Sequence, residues 1–131
     1  MLIQRASVDD AEAILRLQKT AFMSQAVLYD NFDLPPLHQS LVALREEFNR
    51  TIVLKALIQD KIVGSVRYKQ INDFVEIERL LVDPAWQNQG VGSSLLRKVE
   101  ALTPSACVYR LFTGNKSKKN IHIYQKLGYQ I

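Results

Sequence analysis

A single cysteine, Cys107, in a chain of 131 residues has no partner for an internal disulfide, so the fold must hold by packing. Charges such as Lys55 interrupt the strongest apolar stretches, and no run approaches the roughly 18 residues of a membrane-spanning helix. Met1-Leu2-Ile3-Gln4-Arg5 carries neither the basic nor the apolar region of a signal peptide, so a soluble, cytoplasmic protein is expected. Basic residues outnumber acidic ones by only four, and no basic run is interleaved with aromatic residues as a single-strand groove requires, so no nucleic-acid partner is expected. The modest excess, with a pI near 9.3, still suits an anionic ligand. Neither a metal site nor a membrane partner is expected. Glycine is scarce too: two of the five stand at Gly90 and Gly92, which concentrates backbone freedom in one place. Repeats and low-complexity tracts are missing, and with 47% hydrophobic residues the chain reads as one domain over 1–131.

Along the chain, Leu2 to Arg5 reads as a first strand. Ser7 and Asp10 resemble a capping box before a helix ending near Phe22, with an apolar stripe of Ala11, Ile14, Leu15, Leu17, Ala21 and Phe22. Met23 to Pro36 reads as a loop whose aromatic and acidic residues could line a pocket for a cationic amine, or simply cover the surface. A second helix starts at Pro36 or Leu37, burying Leu41, Leu44 and Phe48 and turning Glu46, Glu47 and Arg50 to water. Thr51 to Ile58 and Lys61 to Tyr68 form an antiparallel hairpin across Gln59-Asp60, with Gly64 marking a bulge or a close backbone approach, or only accommodating a bulky neighbour. Phe74 to Val82 is the next strand. After it come a helix carrying Val91, Leu95, Leu96, Val99 and Leu102, and a strand over Ala106 to Phe112 that is apolar enough to be buried on both faces. Asn120 to Leu127 makes a last helix capped by Gly128, and Tyr129 to Ile131 begins one more strand.

Strand, loop and helix meet at Gln87-Asn88-Gln89-Gly90-Val91-Gly92. The two glycines permit positive φ and close approach of a ligand to the main chain, while a helix N-terminus offers unpaired N–H groups and partial positive charge. Such a junction suits a pyrophosphate. It is no Walker A loop, since Gly92 is followed by Ser93-Ser94-Leu95 with no lysine before Lys98, and it lacks the third glycine of a dinucleotide fingerprint.

The stretch resembles the Q/R-x-x-G-x-G/A signature of the GNAT acetyltransferase superfamily. The preceding Leu80-Leu81-Val82 and the later Tyr124-Gln125-Lys126-Leu127-Gly128-Tyr129 match that family's L-x-V strand and its Y-x-x-x-G-Y helix end in order and spacing. The resemblance implies an α/β fold: a mixed central sheet with helices on both faces, antiparallel in its first half and parallel where CoA binds. It also implies acetyl-CoA as cosubstrate, with Leu80, Leu81 and Val82 offering main-chain groups to pantetheine and acyl carbonyl. Gln87, Asn88, Gln89, Gly90, Val91, Gly92 and Ser93 would form the phosphate loop. Where the family has an asparagine seven residues before the tyrosine, this chain has Ser117, with Asn115 and Asn120 as alternatives. The family usually continues for another hairpin, so the C-terminal hairpin is expected to be truncated, and the open sheet edge to be covered in a homodimer or left by a shortened form.

Tyr124 is the family's general acid for the leaving thiolate, a role suited to a phenol with a pKa of about 10. An amine must lose a proton before attack, and Glu76 and Glu78, alternating onto one strand face, are the candidate bases. Glu76 stands fourteen residues before Gly90, as the base does in the histone-acetylating branch. Expected is transfer of acetyl from acetyl-CoA to a small-molecule or peptide amine by direct attack; the alternative is a non-catalytic acyl-CoA-binding regulatory module. Lys116, Lys118 and Lys119 could approach the 3′-phosphate or form a solvated loop.

Overall fold

The computed structural model describes residues 1–30, 32–33, 35–106 and 108–111. Five strands, β1 (Leu2–Arg5), β2 (Ile52–Ile58), β3 (Lys61–Ile71), β4 (Phe74–Val82) and β5 (Val108–Leu111), form one sheet in chain order. Pairing is antiparallel from β1 through β4, and β4 pairs with β5 in parallel. The β2–β3 hairpin turns on Gln59 and Asp60, both at left-handed φ (51° and 63°), as a type I′ turn requires to match strand twist.

Helices α1 (Ala11–Tyr29), α2 (Pro35–His38), α3 (Leu41–Arg50) and α4 (Val91–Leu102) cover the two faces. On one face Val91, Leu95, Leu96 and Val99 of α4 pack on Val66, Tyr68, Ile77 and Leu80. On the other, Ile14 and Leu17 of α1 and Leu44 of α3 pack on Val53 and Leu81. Burial of several aliphatic side chains on each face, at roughly 25 cal/mol per Å² of apolar surface, supplies the main drive to fold. The helix entry uses Asp10 as expected: its carboxylate accepts the Ser7 N–H at 3.0 Å and the Lys55 ammonium at 3.0 Å, tying α1 to β2.

Several boundaries differ from the sequence expectation. The first helix runs past Phe22 to Tyr29, because nothing in Met23–Tyr29 breaks a helix; it stops where Asp30 turns left-handed (φ 50°) and its N–H caps the Ala26 carbonyl. The second helix is split. Pro35–His38 makes one turn, and Ser40, extended and accepting the Ala43 N–H at 3.0 Å, caps a new helix at Leu41. Glu47 is half-buried rather than turned to water, and Leu102 is 47% exposed at the end of its stripe. β5 is not buried on both faces: Val108 is 43% exposed, and Arg110 lies 4.9 Å above the Phe74 ring. Among the described residues it is the edge strand. Cys107, Lys116, Ser117, Lys118, Lys119, the last helix with Tyr124, its Gly128 cap and the strand from Tyr129 lie outside the described residues.

Candidate active site

The sheet register slips once in β4. Ser65 pairs with Leu81 and Arg67 with Glu78, so Val66 alone faces both Arg79 and Leu80. Arg79 absorbs the extra residue at φ 50°, a conformation that is strained for a side chain with a Cβ. The bulge reverses the alternation. Glu76 and Glu78 share the α1/α3 face with their register partners Lys69 and Arg67, while Leu80 drops into the α4 core and Leu81 into the opposite one.

Past Val82 the chain is tied back before it forms the loop. The Asp83 N–H donates to the Val63 carbonyl at 2.8 Å, and the Asp83 carboxylate accepts the Ala85 N–H at 2.9 Å over a single 3-10 turn, Pro84–Trp86. Asn88 (φ 64°) and Gly90 (φ 83°) are left-handed, and Gly90 is the N-cap of α4. No side chain caps that end. The first-turn N–H groups of α4 therefore have no intrahelical acceptor, and a Cβ at Gly90 would meet nothing within 4 Å, so the main chain is open to a ligand. Gly92 does not adopt positive φ: it is buried in the first turn of the helix. These features fit a pyrophosphate held by backbone N–H groups.

Gly64 brings loop and strand together. It pairs with Val82, and a Cβ there would stand 2.7 Å from Cγ1 of Val91 and 3.1 Å from the Leu81 carbonyl oxygen. The glycine lets the first turn of α4 lie directly on the sheet beside the end of β4. The side chains of Val91 and Leu95 come closest, so the glycine makes room for bulky neighbours as well as for the Leu81 carbonyl, and a register shift between Ala56 and Leu57 lies next to it.

The two glutamates differ in company. Glu76 is 3.1 Å from the Lys69 ammonium and pairs in register with Arg110 on β5. Glu78 stands beside the bulge, opposite Arg67. Arg67 is only 2% exposed, and its guanidinium pKa is lowered to about 10. Burial is the main cause and the Arg79 charge adds to it, while Glu47 and Glu78 pull the other way. Arg67 donates to the Gln18 carboxamide oxygen, and Gln18 donates to Gln39 at 2.9 Å. Sequence reasoning missed this cluster. Its signal was the polar pair Ser65 and Arg67 at alternate positions within the buried stretch 63–68 of β3. Among the described residues no group of acidic, histidine or cysteine side chains could hold a metal.

A sheet that changes from antiparallel to parallel at a bulged strand, followed by an uncapped glycine turn opening a helix, defines an acyl-CoA-dependent acetyltransferase architecture. The chain belongs to the acetyltransferase (GNAT) family, whose model matches residues 11–129. Acetyl-CoA is accordingly its cosubstrate. Its fold is similar to that of the PaiA N-acetyltransferase from Thermoplasma acidophilum in complex with coenzyme A, at TM-score 0.83, 19% identity, and 100% of this chain and 91% of that one covered. A GNAT family acetyltransferase from Streptococcus pneumoniae is 25% identical over 99% of this chain and 87% of its own, with TM-score 0.72. The ribosomal-protein-S18-alanine N-acetyltransferase from Escherichia coli is 18% identical over 97% and 76%, with TM-score 0.78. Comparison with curated protein sequences finds no match. No helix among the described residues is long and apolar enough to cross a membrane.

Proposed function

We propose that the protein is an N-acetyltransferase that moves the acetyl group of acetyl-CoA to a primary amine by direct attack in a ternary complex. Acetyl-CoA supplies the activated thioester carbonyl. Asn88 to Ser93 hold the pyrophosphate by backbone N–H groups, with Gln87 flanking them and Ser117 assigned to the cofactor by its place in the motif. Leu80, Leu81 and Val82 offer main-chain groups to the pantetheine arm, and an N–H near Leu81 or Val82 stabilises the carbonyl oxygen as negative charge develops.

Glu78 takes the proton from the attacking amine, directly or through water, and Tyr124 returns one to the departing thiolate. Glu78 is preferred because it stands at the bulge. Glu76, the other candidate, is held by Lys69. The amine is a small molecule or a peptide amine. The observation that supports the assignment most is the left-handed, uncapped Gly90 at the head of α4, a conformation that an ordinary strand-to-helix connection does not need.

Calorimetric titration with acetyl-CoA and CoA, then thiol release across a panel of amines, tests the proposal. Binding with release for one amine class supports it. Binding without release across the panel favours an acyl-CoA-binding regulatory module, and no binding of either cofactor contradicts the site assignment.

A further inference from the structure

On the α1/α3 face, three side chains from separate parts of the chain close a hydrogen-bonded triangle. Arg67 of β3 donates to Gln18 of α1, Gln18 donates to Gln39 at 2.9 Å, and Arg67 also reaches Gln39 at 3.5 Å. Gln18 and Arg67 are buried, at 0% and 2% exposure. Gln39 is half-buried and lies in the break between α2 and α3, at the end of the connection over residues 30–40. Its neighbour His38 bonds the Phe32 carbonyl through Nε2 at 2.7 Å, closing the connection on itself. The Phe32–His38 bond and, one residue further along the chain, the Gln39–Arg67 contact connect this stretch to Arg67, the register partner of Glu78.

Such a cluster is a costly way to fill a core. Burial and the nearby Arg79 both disfavour the Arg67 cation, and an aliphatic side chain would pack there without either penalty. The Arg67 Nε has no partner among the described residues, which adds to that cost, but the directional bonds among Arg67, Gln18 and Gln39 fix one arrangement of the parts they join, which an apolar contact does not. The parts joined here are the connection and the strand pair that carries the candidate base.

We propose that Gln39 and Arg67 are positioning residues that hold the α2–α3 junction against the strand pair carrying Glu78 and thereby set where the acceptor amine sits. The inference rests on the N-acetyltransferase reading and deepens it: acceptor placement depends on the Gln18–Gln39–Arg67 triangle, and cofactor binding does not.

Gln39→Leu removes the tie at similar volume on a half-buried residue, and Arg67→Lys keeps the charge while losing the planar fork. In both, amide hydrogen exchange of peptides covering 30–40 should speed up about tenfold while the 87–93 loop is unchanged. For an amine that the panel shows to turn over, its KM should rise about tenfold with the KM for acetyl-CoA unchanged. Unchanged exchange over 30–40 in both variants overturns the proposal, as does an equal rise in both KM values. Exchange needs no acceptor, so the tie stands or falls on it even if no amine in the panel reacts.

Discussion

The two faces of this sheet obey different rules, although they alternate along the same strands. On the α4 face, Val66, Tyr68, Ile77 and Leu80 meet an aliphatic helix stripe, and the chemistry there is left to the backbone: a left-handed glycine and an open helix end. On the α1/α3 face, Ser65, Arg67, Lys69, Glu76 and Glu78 place charge and hydrogen-bonding capacity next to one another. Anion binding by main chain needs a rigid support, and close apolar packing supplies it. On the proposed reading, proton transfer needs side chains, and that face accepts buried polar groups and their cost. The bulge at Arg79 lets one strand serve both purposes.

Substitution can break that division. The largest effect is expected from Arg67→Met on the polar face. It leaves the buried Gln18 carboxamide oxygen without its Arg67 donor and breaks the buried network, which should lower stability by about 3 kcal/mol in chemical denaturation. Next, on the apolar face, Gly64→Val drives a side chain into Val91. It should destabilise by about 2 kcal/mol and weaken CoA binding about tenfold in calorimetry, because it shifts the head of α4. Gly90→Ala has room for its methyl group but must hold φ near 83°, so a loss of about 1 kcal/mol is expected, with CoA affinity falling about fivefold. If the Gly64 and Gly90 variants lost acceptor turnover while retaining CoA, the division of labour would be wrong.

The smallest expected effect is a contrast in alkaline stability between two β3 neighbours. Burial raises the Tyr68 phenol above its usual value of 10.0, so the folded protein keeps a proton that the unfolded chain has lost, and this stabilising contribution fades as pH climbs above 10. Arg67 runs the other way. Its folded pKa of about 10 lies well below that of the unfolded chain, so between the two the unfolded chain binds more protons, and this group makes stability rise with pH. Tyr68→Phe should remove the falling contribution and Arg67→Met the rising one, measured as unfolding free energy against pH from 9 to about 12.

What could be read from the sequence was set by local rules. Gln59-Asp60 sits between two β-branched runs and can only be a tight hairpin, and the strand Phe74–Val82 is bounded by turn residues at both ends. Gly90 announced itself because glycine is rare here and left-handed turns select it. Arg79 gave no such sign: a left-handed arginine is a tertiary compromise, imposed by pairing β4 to β3 while aiming alternate residues into two cores. The overrun of α1 to Tyr29 was hidden because Val27 and Leu28 are exposed, at 67% and 73%, and so contribute to no buried stripe. The Arg67 triangle depends on residues 21 and 49 positions apart, a separation at which periodicity carries no information.

The most direct test of the central claim is titration of the isotopically labelled protein with CoA, following backbone amide shifts by NMR. The largest changes should fall on Asn88 to Ser93 and on the end of β4, with the amides of Gln18, Gln39 and Arg67 little affected. Changes concentrated on the α1/α3 face, or none at the head of α4, would contradict main-chain binding of the cofactor at Gly90.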